Sequence, residues 1–298
     1  MKKAEKSVSV LVYESKKASK DGPSILFFHG GGFAFQAAPH HFGLAKKLAK
    51  ELGCKVFFVD YRLAPIHKFP AAPEDCFVVY QWMLSNTQEL GIDKKKIAVC
   101  GDSAGGNLAA VVCLMARDAG IQMPKAQMLL YPFTDRRMKT ESMKLYTDTP
   151  MCNSEDMKKY LKMYVKDQDL FETQSSFRKQ DESGTQSVFG NQNVSESQST
   201  NETAEQLVFQ TEYLSPAEAD SFENLPRAYV EVAEYDCLRD EGIEYADKLK
   251  KSGVKVELHK VKGAMHGYDI AQKSTLMKQC MKRRVAFFEK VFEEGGHE

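Results

Sequence analysis

The sequence reads as an α/β fold with a mainly parallel central sheet flanked by helices. Three observations carry that reading. Short apolar runs of strand length alternate along the chain with longer stretches of helical periodicity. The runs at 24–28 and 55–60 are almost continuously apolar, as strands covered on both faces must be. Glycines cluster beyond the ends of two of the strands. In a sheet of this kind, chemistry gathers outside the carboxyl ends of the strands.

Residues 7–13 alternate polar and apolar side chains, the pattern of an edge strand, and a Lys/Ser turn ending in Asp21-Gly22-Pro23 separates them from the buried strand at 24–28. A helix over 41–52 closes at Gly53, and the next buried strand occupies 55–60. Residues 70–90 form a further helix, with Pro73 in its first turn and Gly91 past its end. A strand beginning at Ile97 leads through a sharp turn into an apolar helix at 108–116. Strands at 126–132 and 227–233, a helix at 241–251 stopped by Gly253, a strand at 254–261 and a closing helix at 274–292 complete the pattern. The whole chain, 1–298, forms one domain in this reading.

Composition narrows the function. Lys+Arg and Asp+Glu are equal at 41 each, so no net field selects nucleic acid or an anionic membrane surface. Seven cysteines are dispersed without C-x-x-C or Cys/His ligand spacing, which argues against a metal site and for buried free thiols in a reducing, cytoplasmic setting. The residues after Met1-Lys2-Lys3 contain no apolar signal core, and no stretch of 18 apolar residues reads as a membrane span. Oligomeric state leaves no signature.

Candidate chemistry centres on Gly101-Asp102-Ser103-Ala104-Gly105, placed between strand and helix. A nucleophilic serine at such a bend needs neighbours without a Cβ, because strand and helix approach closely there. A loop that simply uses flexible glycines would share the composition but not the setting. The second glycine cluster, His29-Gly30-Gly31-Gly32-Phe33, ends the 24–28 strand. Backbone N–H groups of Gly31 and Gly32, with that of Ala104, can stabilise the oxyanion of an acyl-transfer intermediate. Neither the Lys-Ser/Thr pair nor the glycine spacing of a phosphate loop is present. Asp236 follows the 227–233 strand and His266 stands in a loop after the 254–261 strand, which completes a Ser, Asp, His order. Asp236 has a rival role as a helix cap, with Asp240 then the reserve acid. His259 reads as structural within its strand, and His40, His41 and His67 as surface or capping residues. Phe33 and Tyr131, at strand ends, are candidate pocket residues.

The segments His29-Gly30-Gly31-Gly32, Asp60-Tyr61-Arg62-Leu63-Ala64-Pro65, Gly101-Asp102-Ser103-Ala104-Gly105-Gly106, Asp236-Cys237-Leu238-Arg239-Asp240-Glu241-Gly242 and His266-Gly267 together resemble the hormone-sensitive-lipase-like esterases of the α/β-hydrolase superfamily, in that family's order. The resemblance implies an α/β-hydrolase fold in which His29 braces the oxyanion loop and Asp102 anchors it from behind. Relatives carry extra helices ahead of the oxyanion strand, whereas only 23 residues precede Ser24 here, so a reduced helical cap is expected. Residues 139–215 form the cap-like excursion. Within it, 154–164 can form an amphipathic helix, while 172–206 is so rich in Ser, Gln, Asn, Thr and Glu that burial cannot offset its ordering entropy. That insert is expected to be disordered.

Residues and resemblance point to a serine carboxylesterase that cleaves small to medium acyl esters through an acyl-enzyme, with a small-molecule ester as its partner and no cofactor or metal. The same constellation serves an amidase, lactonase or deacetylase. Some proteins of this fold bind a small ligand without catalysis, usually with a broken triad; here Ser103, Asp236 and His266 are all present.

Overall fold

The computed structural model describes residues 7–166 and 211–294; the polar insert at 172–206 lies outside them. Seven strands form one sheet in the order β1-β3-β2-β4-β5-β6-β7. They are β1 (Ser9–Glu14), β2 (Gly22–Phe28), β3 (Lys55–Asp60), β4 (Ile92–Asp102), β5 (Gln127–Leu130), β6 (Ala228–Tyr235) and β7 (Val256–Met265). Only β1 runs antiparallel, against β3, and it forms the edge that its alternating pattern implies.

The helices are α1 (Pro39–Leu52), α2 (Ala71–Ser85), α3 (Thr87–Leu90), α4 (Ala104–Asp118), α5 (Glu141–Leu145), α6 (Ser154–Tyr164), α7 (Thr211–Leu214), α8 (Arg239–Lys251) and α9 (Thr275–Glu293). Strand alternation divides the core into two layers. Leu26, Phe28, Phe57, Val59, Ile97 and Val99 pack with α2, α4 and α8, whereas Ile25, Phe27, Val56, Phe58, Ala98 and Cys100 pack with α1 and α9. Helix α4 is buried from Ala104 to Ala116, which explains why its sequence is apolar on all sides. All seven cysteines are buried and unpaired.

Several boundaries differ from the sequence reading, three of them with a plain physical reason. The helix expected over 70–90 is divided at Asn86, whose backbone leaves helical geometry and whose side-chain amide donates to the Trp82 carbonyl at 2.8 Å. Strand β4 begins at Ile92 because Asp93 to Lys96, too polar to read as a strand, extend along its exposed start. Strand β7 continues through Gly263 and Ala264 to Met265, so His266 lies directly at the strand end instead of within a longer loop.

The order of strands reverses between β2 and β4, since β3 follows β2 to one side and β4 lies on the other. A crevice at such a reversal is the preferred site for ligands. Phe28 is in register with Gly101 there, so the glycine loop after β2 and the serine turn after β4 leave the sheet side by side.

The excursion between β5 and β6 places α5 and α6 over this end of the sheet. Helix α6 starts with Asn153 as N-cap, its side chain accepting from the Asp156 N–H at 2.9 Å. The chain returns through α7, where Asn107 of α4 donates to the Leu214 carbonyl at 3.0 Å and the Tyr213 hydroxyl donates to Asp118 at 2.9 Å. No helix among the described residues is long and apolar enough to cross a membrane.

Candidate active site

The bend between β4 and α4 is built by backbone contact. A Cβ on Gly101 would lie 2.1 Å from the Gly105 carbonyl oxygen, and one on Gly105 would lie 2.1 Å from that of Phe28. Neither position has room for a side chain. Ser103 occupies the bend with φ 55° and ψ −117°, a backbone region that L residues rarely adopt. Its N–H donates to the Leu130 carbonyl at 2.8 Å, and its carbonyl accepts from Asn107 and Phe133. The Oγ is thereby held in front of the sheet, with the Ala104 N–H at the positive end of α4.

Strands β6 and β7 bring the other two residues together. Tyr235 and Met265 are register partners, and Asp236 and His266 each stand one position beyond them. His266 Nε2 lies 2.9 Å from Ser103 Oγ, and His266 Nδ1 lies 2.8 Å from Asp236 Oδ2. The other carboxylate oxygen accepts from the Leu238 N–H at 2.9 Å, so Asp236 binds its own loop and the imidazole at once. Burial disfavours the imidazolium of His266, but the Asp236 carboxylate outweighs it and lifts the pKa to about 9.

Asp240 is turned elsewhere. It accepts from the Ser142 N–H at 2.8 Å and pairs with Arg239, contacts that hold its carboxyl below the usual range against the opposing effect of burial. The reserve acid therefore ties α8 to α5 instead of facing His266.

In the loop after β2, Gly31 has φ 118°, while Gly32 and Phe33 both have φ 59°. The Gly31 carbonyl accepts from Ala34 and Phe35, which closes a tight turn. His29 is fully buried between the rings of Phe58 and Tyr61; its Nδ1–H donates to the Gly30 carbonyl at 2.7 Å, and Tyr61 Oη donates to the His29 carbonyl at 2.7 Å. Burial lowers the His29 pKa.

Asp102 lies beneath both loops, 3.2 Å from His41 Nε2. A Cβ on Gly30 would approach Asp102 Oδ2 to 2.3 Å, so the carboxylate also requires glycine there. His41, read from sequence as a surface or capping residue, is a cap and is buried: the Ala38 N–H donates to its Nδ1 at 2.8 Å, leaving Nε2–H for Asp102. It caps α1 and anchors the Asp102 carboxylate together. His67 is exposed, and His259, half-buried in β7, packs on the Tyr229 ring.

The two candidate pocket residues are enclosed, at 2% exposure for Phe33 and 1% for Tyr131. Phe33 stacks on Tyr164 of α6 at 4.0 Å between centroids, and Tyr131 meets the His266 ring edge-on at 4.9 Å. Both rings pack within the core beside the site, Phe33 against α6 and Tyr131 against the imidazole.

Sequence reasoning passed over three supports. Glu241 is buried and accepts from the Thr134 and Asp135 N–H groups at 2.6 and 3.2 Å, holding the loop after β5, although burial still pushes its carboxyl well up. Glu231 and Arg284, both wholly buried, pair at 2.5 Å behind His266, with Tyr229 and Tyr268 donating to the same carboxylate. Burial opposes the Glu231 charge, but Arg284 and these hydroxyls hold its carboxyl below the ordinary range. Charged residues inside otherwise apolar helix and strand faces were the available signal. The third support, Tyr160, had none: a Cβ on Gly32 would lie 2.6 Å from its ring.

Known proteins share this architecture and sequence. A family model described as alpha/beta hydrolase fold matches residues 25–190 and 177–270. An arylesterase of Saccharolobus solfataricus is 33% identical over 87% of this chain and 72% of its own length. Esterase LipI of Mycobacterium tuberculosis is 32% identical over 83% of this chain, which spans 66% of that relative. Among solved structures, the hyperthermophilic esterase of the archaeon Pyrobaculum calidifontis superposes with a TM-score of 0.77 at 33% identity, covering 95% of this chain and 81% of that one. A bacterial heroin esterase superposes with the same TM-score at 30% identity, over 96% of this chain and 84% of its own. With the fold, the order of motifs and these relatives in agreement, the chain belongs to the hormone-sensitive-lipase-like esterases of the α/β-hydrolase superfamily.

Proposed function

We propose that this protein is a serine carboxylesterase that hydrolyses small to medium carboxylic esters, with Ser103 as nucleophile, His266 as general base and acid, and Asp236 as the group that orients the imidazole. The carrying observation is the unbroken chain of contacts from Ser103 Oγ to His266 Nε2 at 2.9 Å and from His266 Nδ1 to Asp236 Oδ2 at 2.8 Å. Ser103 Oγ attacks the ester carbonyl carbon while its proton passes to His266 Nε2. Charge develops on the carbonyl oxygen, where the N–H groups of Gly31, Gly32 and Ala104 stabilise it. Collapse of the tetrahedral intermediate breaks the bond to the alcohol, which leaves with the proton from His266. Water then repeats the sequence on the acyl-enzyme and releases the acid.

Asp236 makes the base stronger by favouring the imidazolium, and its bond to the Leu238 N–H limits rotation of the carboxylate. His29 and Asp102 act at one remove, the first by stacking within the loop and the second through His41. No step of this chemistry calls on a metal or cofactor. The buried unpaired cysteines support a reducing, cytoplasmic setting. Names of relatives that include esterase, arylesterase and carboxylesterase support the ester class.

The test is labelling with a fluorophosphonate, followed by rates on p-nitrophenyl esters of increasing acyl length and on matched amide and lactone analogues. Label on Ser103 with fastest turnover of short and medium esters is the expected result. Failure of both labelling and turnover would overturn the reading, and faster turnover of an amide or lactone would move the assignment to that leaving group.

A further inference from the structure

Two aromatic side chains of α6 pack on the glycine loop that the esterase reading assigns to the oxyanion. Tyr160 and Tyr164 are four positions apart and therefore share one face of the helix. The Tyr160 ring covers the α-carbon of Gly32, with Cδ2, Cγ and Cβ at 2.6, 2.7 and 3.1 Å from where a Cβ would stand, and it meets Phe35 edge-on at 5.6 Å. Tyr164 lies parallel to Phe33, with centroids 4.0 Å apart and planes 3° apart, and its carbonyl accepts from the Phe69 N–H at 2.8 Å. The helix thus grips both residues that follow Gly31.

The loop has reason to need this grip. Its three consecutive positive φ angles, at Gly31, Gly32 and Phe33, include one at a bulky residue, a conformation that is unfavourable without outside support. On the other side Phe33 is held by an edge-on contact with Phe133 and by the Ala64 N–H donating to its carbonyl at 2.9 Å. No glycine in the loop can supply packing of its own. The Tyr164 hydroxyl is buried without a hydrogen-bond partner among the described residues, so the ring and not the hydroxyl is what the contact uses.

We propose that Tyr160 and Tyr164 are positioning residues of the esterase reaction: they hold the Gly31 and Gly32 N–H groups in the orientation that stabilises the oxyanion, making the seated α6 part of the transition-state machinery. This rests on the esterase reading. Because the oxyanion exists only in the transition state and tetrahedral intermediate, losing the clamp lowers kcat with little change in KM.

The experiment measures kcat and KM on p-nitrophenyl acetate, with thermal unfolding, for the full chain and for Tyr160→Leu, Tyr160→Phe, Tyr164→Leu and Tyr164→Phe. Both Leu variants are expected to lose about tenfold or more in kcat while KM stays within about twofold, since full removal of one oxyanion donor costs 100- to 1,000-fold and a misplaced one costs part of that. Both Phe variants keep parental kcat within about twofold. Parental kcat in the Leu variants, a loss confined to KM, or an equal loss in the Phe variants would overturn the clamp. Should a Leu variant fail to fold, the Phe variants and the remaining Leu variant decide the question by the same criteria. A parent that neither turns over the ester nor labels with fluorophosphonate overturns the esterase reading itself, and the clamp with it.

Discussion

Two glycine-rich turns meet at the crevice between β2 and β4, and they use glycine for different reasons. At 101–106 glycine makes room: backbone lies against backbone, with the Gly105 carbonyl and the Phe28 carbonyl each 2.1 Å from where a Cβ would go. At 29–33 glycine supplies conformation, with Gly31 at φ 118° and Gly32 at φ 59°, and the neighbour that Gly32 makes room for is the ring of Tyr160 in α6. The first turn is set by the sheet and its own helix. The second depends on a helix contributed from the excursion between β5 and β6. The candidate site thus combines a serine turn set by its own strand and helix with a glycine loop that packs on a helix from elsewhere in the chain.

The largest effect expected of any change falls on the rigid side. Ser103→Ala should fold normally, lose fluorophosphonate labelling and lose on the order of a millionfold in kcat, by analogy with removal of the nucleophile in another serine hydrolase. Undiminished turnover by purified variant would show that the rigid turn carries some other chemistry. Next, Asp236→Asn should cost on the order of ten thousandfold in kcat, because the imidazole loses the partner that selects its tautomer.

A pair of substitutions addresses the comparison directly. Gly105→Ala sets a methyl group against backbone that cannot yield, and should cost about 3 kcal/mol or more of stability, read as a large fall in Tm. Gly32→Ala meets the ring of Tyr160 and a positive φ, so about 1–2 kcal/mol is expected, while kcat falls tens of fold as the loop shifts. Equal losses of stability would erase the distinction between the two turns.

The pH dependence follows from the His266 pKa of about 9. The imidazole must be neutral to accept the serine proton, and it is neutral above its pKa. Activity as kcat/KM should therefore rise with pH along a limb centred near 9 and fall as protons bind below it. In Asp236→Asn the residual rate should follow a limb at lower pH, since the carboxylate that favours the imidazolium is gone. A limb that does not move would assign the titration to another group. The smallest expected effect is that of Asp240→Asn, within a few-fold in kcat, with a modest fall in Tm as α5 loses its tie to α8.

Legibility followed the same division. Ser103, its flanking glycines, and the strand ends bearing Asp236 and His266 could be read because local sequence determines them: a strand, a break and a helix, or a strand followed by an acid or a histidine. The same reading ranks Asp236 first but keeps Asp240 in reserve, because what separates them is long-range: Asp236 meets His266, whereas Asp240 accepts from Ser142. Tyr160 and Tyr164 looked like one face of an amphipathic helix, with nothing local to name the surface they cover. His41 misled for a related reason. Its place at the start of a helix suggests a cap, which it is, and conceals the buried carboxylate that it reaches across the sheet's end. Long-range packing leaves no periodicity behind.

The register partnership of Tyr235 with Met265 makes the sheet a gauge for the chemistry at its edge. One residue of strand advances the chain by about 3.3 Å, more than the 2.8 Å that separates Asp236 from His266. A single residue inserted between Tyr235 and Asp236, or between Met265 and His266, would therefore spend the whole tolerance of the contact and turn the side chain to the opposite face. The irregular pairing just before, Ala233 to Tyr235 of β6 against Val261 to Met265 of β7, already takes up extra length. The connection between the strands, α8 included, is measured by no such rule, and added length there would leave the strand ends opposed. Length can therefore vary between β6 and β7 and in the irregular stretch before the last pair, so that the spacing of Asp236 and His266 is set by the pairing of Tyr235 with Met265 and not by the distance along the chain.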